Sequence, residues 1–419
     1  MERRYFGTDG VRGVVGESLT VDLVERLGRA ATLWSGRGRV FVGRDTRESG
    51  PELEEAFARG IVAAGGNAVL AGVLPTPAVA LLALDLGVVI SASHNPPEYN
   101  GVKLFDREGR KLSDDAELEI EALLDGVSGS EPQGSIDRVE IARDSYVDHV
   151  LDRFGSDLSG LRIGVDCANG AYSGLAPDAF RRLGAEVVAI ADEGDGARIN
   201  VGSGATDLVA LSHKVRAEGL DLGVAFDGDG DRMLAVDEHG QAVEGDQILA
   251  VLALHLDVDL VAVTVMANLG LHRLLEGHGI RVVTTDVGDR YVLEALHREG
   301  GLLGGEESGH LIYLDGHVTG DGLVAALLLC RALEGRPLSE AAAVLEKLPQ
   351  ARVNVPVRDR RIPSALRAEI DALAGHSARV LVRPSGTEPV VRVLAEADTE
   401  AAAERLSGKI AALVRRELG

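Results

Sequence analysis

Short runs rich in β-branched residues alternate with amphipathic helical stretches along most of this chain, and that rhythm limits the fold more than any other feature. Val40–Gly43 reads as a buried strand. Pro51–Ala64 reads as the helix after it, with Ser49 as a candidate cap, Glu52, Glu54 and Glu55 at the positive end, and Gly65-Gly66 as the stop. A strand at Ala68–Gly72, a helix after Pro77 and a strand at Val88–Ser91 complete a βαβαβ pattern. Strands joined through helices run parallel, so the pattern predicts a mostly parallel sheet covered by helices.

The rhythm restarts after a polar stretch around 126–143, with strands expected at Leu161–Asp166, Glu186–Ile190 and Leu222–Phe226 and helices at Ala176–Leu183 and Leu208–Glu218. A third round runs from Asp246 to about Gly335, with strands near Leu260–Met266, Arg281–Thr285 and Leu302–Gly304. The tail differs: strands at Val353–Val357, Ala378–Arg383 and Val390–Glu396 precede a long helix at Glu400–Leu418. The expected fold is therefore three consecutive α/β domains with mixed, mostly parallel sheets plus a smaller α+β domain. The boundaries fall at 1–150, 151–245, 246–350 and 351–419.

A formal net charge of -23 argues against a nucleic-acid or anionic-membrane partner, since phosphate backbones call for clustered Lys and Arg. It also requires that positive charge be gathered locally if the substrate is an anion. The only cysteines, Cys167 and Cys330, stand far apart in apolar surroundings, without zinc-site or disulfide spacing, and read as small buried hydrophobes. MERRYFGTDG lacks the apolar core of a secretion signal, and the longest apolar stretches are broken by Asp85 or by His255, Asp257 and Asp259, short of the ~18 residues of a membrane helix. A soluble, cytoplasmic protein is expected.

Four loops carry candidate chemistry. In Asp227-Gly-Asp229-Gly-Asp231-Arg232 the glycines permit a tight turn, and three carboxylates that converge repel unless a hard cation, Mg²⁺ or Ca²⁺, sits among them. An EF-hand is excluded because Arg232 stands where its glycine is required and a strand precedes the loop. Arg232 beside the acids suits an anionic group near the metal. Ser91-Ala-Ser93-His94-Asn95-Pro96 follows a parallel strand, where α/β proteins bind ligands, although a serine there also serves as an ordinary turn residue. No GxSxG elbow is present, and Lys103 is either a proton donor or acceptor or simply a solvated lysine. Gly304-Gly305-Glu306-Glu307-Ser308-Gly309-His310 is a glycine-rich turn whose polar groups suit sugar hydroxyls. Arg383-Pro-Ser385-Gly386-Thr387-Glu388-Pro389, with Arg392 beyond, forms either a phosphate cradle or a plain hairpin loop. Neither a Walker A sequence nor a Rossmann GxGxxG occurs.

Taken in order, these loops resemble the α-D-phosphohexomutase superfamily over essentially the whole chain, and within it the phosphoglucosamine mutase branch. The residues that carry the likeness are Phe6-Gly-Thr-Asp-Gly-Val-Arg12-Gly13, the Ser91–Pro96 loop, Thr264-Val-Met-Ala-Asn268-Leu-Gly270, Val287-Gly-Asp289-Arg290-Tyr291-Val292 and the Arg383–Pro389 loop. The resemblance implies four domains around a central cleft and a phosphoserine at Ser93 as phosphoryl donor. It implies one Mg²⁺ held by Asp227, Asp229, Asp231 and a phosphate oxygen on Ser93, with Arg232 and Arg12 offsetting the phosphate charge. Glu306, Ser308 and His310 would bind the sugar, and Arg383, Ser385, Gly386, Thr387 and Arg392 the phosphate not being transferred. Lys103, helped by His94, would handle the hydroxyl proton. The implied reaction is interconversion of glucosamine 6-phosphate and glucosamine 1-phosphate through a sugar 1,6-bisphosphate, serving UDP-N-acetylglucosamine and cell-wall precursor synthesis. The alternative is mutase action on neutral glucose or mannose phosphates. Glu307 departs from the Gln or Asn common in that branch, and a carboxylate there suits a substrate ammonium. The implied partner is a small phosphosugar, with the chain as a monomer or homodimer.

Overall fold

The computed structural model describes residues 4–7, 9–124, 134–374, 378–385 and 389–419. The chain divides into two compact units. One runs through Thr264 and resumes at Val283–Val344, and the other joins Val265–Val282 to Leu345–Gly419. Among the described residues, no helix is long and apolar enough to cross a membrane.

In the first unit, one sheet has the order Val11–Val14, Tyr99–Phe105, Leu86–Ile90, Arg39–Arg44, Asn67–Val73, Ile136–Arg138. The last four strands pair in parallel, whereas Tyr99–Phe105 runs antiparallel to both its neighbours. The central strand, LGVVI, is buried at every position, as a strand covered on both faces requires. Helices Val21–Trp34 and Gly50–Ala63 supply much of that cover through Leu23, Leu27, Leu53, Phe57 and Ile61. Ser49 does not cap the second helix: its side chain makes no capping bond, and its hydroxyl accepts from Asn100 Nδ2 at 2.9 Å instead.

A second sheet follows the same plan. Glu186–Ile190, Arg162–Asp166 and Leu222–Phe226 are parallel, and Met233–Asp237 then returns antiparallel beside Leu222–Phe226. The plan recurs where Leu260–Thr264 pairs in parallel with Leu303–Gly305, which pairs antiparallel with Leu311–Tyr313. In all three places a buried parallel strand ends in a loop, and the chain comes straight back as an antiparallel partner. The three loops are those beginning at Ser91, Asp227 and Glu306. Strands and helices expected from the sequence are present, with ends shifted by up to three residues; the return strands were not foreseen.

The second unit holds a wholly antiparallel sheet in the order Gln350–Pro356, Val390–Glu396, Arg379–Pro384. Val355, Val391 and Val393 face a core shared with Ile370, Ile410 and Val414 of helices Ser364–Ala374 and Glu400–Leu418. Helix Leu269–Gly277 belongs to this unit. Asn268 caps it by accepting from Gly270 N at 2.9 Å and donates Nδ2 to Leu348 O at 3.0 Å. Three α/β sheets and a smaller mixed tail make up the α/β class expected from the sequence.

Candidate active site

Ser93 leaves the buried Leu86–Ile90 strand in the left-handed region, φ 53°. A serine in that conformation costs on the order of 1–3 kcal/mol and persists only when its surroundings fix it. Here Ser93 N donates to Ser91 Oγ at 2.9 Å, and its carbonyl accepts from Arg47 Nη2 at 2.8 Å and Asn200 Nδ2 at 2.9 Å. The hydroxyl then donates to Asp227 Oδ2 at 2.6 Å.

Asp227 opens the turn between Leu222–Phe226 and Met233–Asp237, and its Oδ1 accepts from Gly230 N at 3.1 Å and Arg232 N at 3.2 Å. Two glycines let the turn fit. A Cβ at Gly228 would lie 2.7 Å from Ser93 O, and one at Gly230, φ +78°, would lie 2.4 Å from the Tyr172 ring. Asp227, Asp229 and Asp231 are all buried, with one carboxylate oxygen from each inside a group no wider than 4.8 Å. Burial and the neighbouring charges of Asp231 and Asp229 push the Asp227 carboxyl up to about 7. Asp229 Oδ1 is buried and accepts no hydrogen bond. Three buried hard-oxygen donors, one with an unused lone pair, fit a divalent cation of the Mg²⁺ or Ca²⁺ type.

Cations of the chain crowd the same place. Lys103, on the antiparallel Tyr99–Phe105 strand, donates Nζ to Asp229 Oδ2 at 2.7 Å and Asp231 Oδ2 at 2.9 Å, and lies 3.2 Å from Asp9 Oδ2. Burial opposes its charge, but those three carboxylates outweigh it and hold the ammonium well above the usual lysine range. His94 Nδ1 lies 3.4 Å from Ser93 Oγ, and burial together with the charges of Arg232 and Arg12 lowers this imidazole to about 4. Arg12 bonds Asn95 Oδ1 at 3.2 Å and pairs with Asp9.

The glycine-rich loop lies beside the acidic turn. Arg232 and His310 form a β-bridge, and Met233 N donates to Gly309 O at 2.9 Å. His310 bridges two acids, with Nε2 3.0 Å from Asp231 Oδ1 and Nδ1 2.9 Å from Glu306 Oε2. Burial disfavours its charge, yet Asp231 prevails and raises it to about 10. Glu306 also accepts from Gly288 N at 3.0 Å, while Ser308 is exposed and Glu307 half-buried. Ser93, His94, Lys103, Arg12, Arg232, Glu306, His310 and the three aspartates thus gather around one centre.

Several members of this cluster were not singled out from sequence. Asp9 joins Arg12, Lys103 and Lys111; Lys111 Nζ reaches Asp9 Oδ1 at 2.6 Å and Asp289 Oδ2 at 2.7 Å. Thr76 donates Oγ1 to Asp229 Oδ2 at 2.6 Å. Asp9 and Asp289 lie inside motifs quoted above, and Arg47 follows a buried strand at its carboxyl end, so position was the available signal. Nothing local marks Thr76 or Asn200.

In the second unit, Arg383 and Arg392 are directly opposed across neighbouring antiparallel strands. Like charges in that register destabilise a sheet unless an anion lies between them. Burial, then the charges of Arg392 and Arg352, lower the proton affinity of Arg383. Ser385, buried, takes Arg392 Nη2 on its hydroxyl at 3.3 Å and Arg360 Nη1 on its carbonyl at 2.7 Å. The calls on Gly386 and Thr387 lie outside the described residues.

Comparison with known proteins finds family matches in four segments along the chain. Residues 3–129, 144–240 and 244–348 match alpha/beta/alpha domains I, II and III of the phosphoglucomutase/phosphomannomutase family, and 334–413 match its C-terminal domain. The phosphoglucosamine mutase of Moorella thermoacetica is 48% identical over 94% of this chain and 95% of its own. That of Thermobifida fusca is 46% identical over 99% of both chains. Among solved structures, a phosphoglucomutase/phosphomannomutase family protein of Burkholderia thailandensis superposes with a TM-score of 0.86 at 26% identity, covering 99% of this chain and 98% of its own.

Proposed function

The chain belongs to the phosphoglucomutase/phosphomannomutase family of phosphohexomutases, and from that premise we propose that it interconverts glucosamine 6-phosphate and glucosamine 1-phosphate. It is an isomerase that works by phosphoryl transfer. The observation that carries the reading is the Ser93 hydroxyl 2.6 Å from Asp227, inside a buried carboxylate triad. Relatives at 46–48% identity named for the amino sugar support that substrate over neutral hexose phosphates.

In this reading Ser93 carries the phosphoryl group. Asp227, Asp229 and Asp231, with a phosphate oxygen on Ser93, would hold Mg²⁺, which supplies charge neutralisation and in-line orientation for the transferring group. Arg12 and Arg232 offset the remaining phosphate charge. In the forward direction the bond from phosphorus to Ser93 Oγ breaks and one to sugar O1 forms. The proton leaving O1 is taken up by the uncharged imidazole of His94, 3.4 Å from Ser93 Oγ, while Lys103, already an ammonium held by Asp229 and Asp231, steadies the charge that develops on the oxygen. The 1,6-bisphosphate then turns over, and its 6-phosphoryl returns to Ser93 Oγ as the bond to O6 breaks and O6 regains a proton. Glu306, Ser308 and His310 bind sugar hydroxyls, and Arg383, Ser385 and Arg392, with Gly386 and Thr387, grip the phosphate that stays on the sugar. Each of the four segments bounded near 150, 245 and 350 would contribute one loop. We assign the work to the cytoplasm, where phosphosugars are made.

The test compares turnover of glucosamine, glucose and mannose 6-phosphates, with mass mapping of the protein after incubation with a sugar 1,6-bisphosphate. The expected results are preference for the amino sugar and phosphate on Ser93. Preference for a neutral sugar, or phosphate on another residue, overturns the assignment.

A further inference from the structure

Arg47 is completely buried, a rare state for an arginine, and the reading above gives it no part in binding sugar or phosphate. Its charge is met by Asp45, with Nε to Oδ2 at 2.9 Å, and Asp45 Oδ1 accepts the Arg47 backbone N–H at 3.0 Å. The other end of the guanidinium is spent on backbone carbonyls of one turn. Nη2 donates to Ser93 O at 2.8 Å and Asn95 O at 2.7 Å, and Nη1 donates to Tyr99 O at 2.8 Å and to Pro96 O.

Asp45 reaches the same turn by a second route. Its Oδ2 accepts from Ser91 Oγ at 2.6 Å, and Ser91 Oγ accepts from Ser93 N at 2.9 Å. Both the N–H and the carbonyl of Ser93 therefore trace back to a single buried ion pair. Carbonyls turned in toward a buried guanidinium need donors, and a planar fork of five N–H groups can serve four of them and a carboxylate together. A lysine, with three donors on one nitrogen, cannot.

We propose that the Arg47–Asp45 pair, acting partly through Ser91, is the positioning device that keeps Ser93 in its left-handed conformation and aims its oxygen at Asp227. The inference rests on the reading of Ser93 as phosphoryl carrier. Arg47 acts through the serine and binds no sugar, so its loss alters transfer while leaving substrate affinity in place. A displacement of about 1 Å from in-line geometry is worth about 100-fold in rate.

The experiment measures kcat, KM and the single-turnover rate of Ser93 loading from glucose 1,6-bisphosphate, followed by intact mass, in the wild-type protein, Arg47→Lys and Ser91→Ala. Folded fraction is monitored by circular dichroism. For Arg47→Lys, kcat and loading rate fall together by about 100-fold while KM stays within about threefold. For Ser91→Ala, which keeps the ion pair and removes one link, loading slows about 10-fold, the worth of one hydrogen bond. If Arg47→Lys fails to fold, the Ser91→Ala loading rate decides. Wild-type loading rates in the folded variants, a loss no larger than the lost folded fraction, or a rise in KM with kcat unchanged overturns the proposal. A wild-type protein that never takes phosphate on Ser93 would instead overturn the reading on which it rests.

Discussion

The acidic turn of the first unit and the opposed arginines of the second both belong to antiparallel strand pairs, yet they carry opposite charge in opposite surroundings. In the first unit a parallel strand buried on both faces delivers Ser93 or Asp227 into the interior, where every carboxylate needs a cation or a donor within reach. In the second unit the sheet is antiparallel throughout. Val382, Val391 and Val393 point to the core, and the alternation of the strand sends Arg383 and Arg392 to the other side. In the proposed reading, the charge that would meet a metal is buried, and the charge that would meet an arriving anion is half-buried.

Removing either side of this contrast should give different kinetic signatures. The largest effect is expected for Ser93→Ala, which deletes the acceptor of the phosphoryl group: kcat falls by at least about 10⁴-fold with the fold intact by circular dichroism. Equal activity of that variant would end the mutase reading. Arg383→Ala should raise KM for the sugar phosphate about 10- to 100-fold, the worth of one charge-assisted hydrogen bond, with a smaller change in kcat. A fall in kcat alone would mean that the tail takes part in transfer rather than in holding.

Gly230→Ala tests the packing behind the acidic turn, where the Tyr172 hydroxyl donates to Asp321 Oδ1 at 2.8 Å and lies 2.8 Å from the Tyr146 hydroxyl. The ring cannot yield freely, so urea unfolding should show a loss of about 1–3 kcal/mol. An effect of similar size, read against pH, concerns Asp166, which ends a parallel strand as Asp227 nearly does and accepts from Gly204 N and Ala168 N. Burial raises its carboxyl from 3.8 to about 6, with Asp207 the neighbouring charge. The folded state then holds a proton that the unfolded state releases between those values, so this group lowers stability as pH rises from about 4 to 6. Asp166→Asn should flatten unfolding free energy across that window; an unchanged slope would assign the pH dependence elsewhere.

Much of the architecture was legible in the pattern of residues. Glu186–Ile190, Leu222–Phe226, Val390–Glu396 and Glu400–Leu418 form as their periodicity predicts, because buried strands and amphipathic helices advertise themselves in apolar spacing. Tyr99–Phe105 was missed because Asn100 and Lys103, polar yet fully buried, break the apolar run for the sake of the site. The same cause hid Thr76, whose only distinction is a partner 153 positions away. Ser49 was read as a cap on local grounds, and a long-range bond from Asn100 claimed its hydroxyl. Local signals lose to tertiary partners wherever polar groups are buried.

The facing arginines of the tail have a practical consequence. If Arg383 and Arg392, opposed across neighbouring strands, grip a sugar phosphate as proposed, they would also receive other small dianions, and free inorganic phosphate would compete for the same place. Apparent affinity would then be set partly by the phosphate level of the surrounding solution.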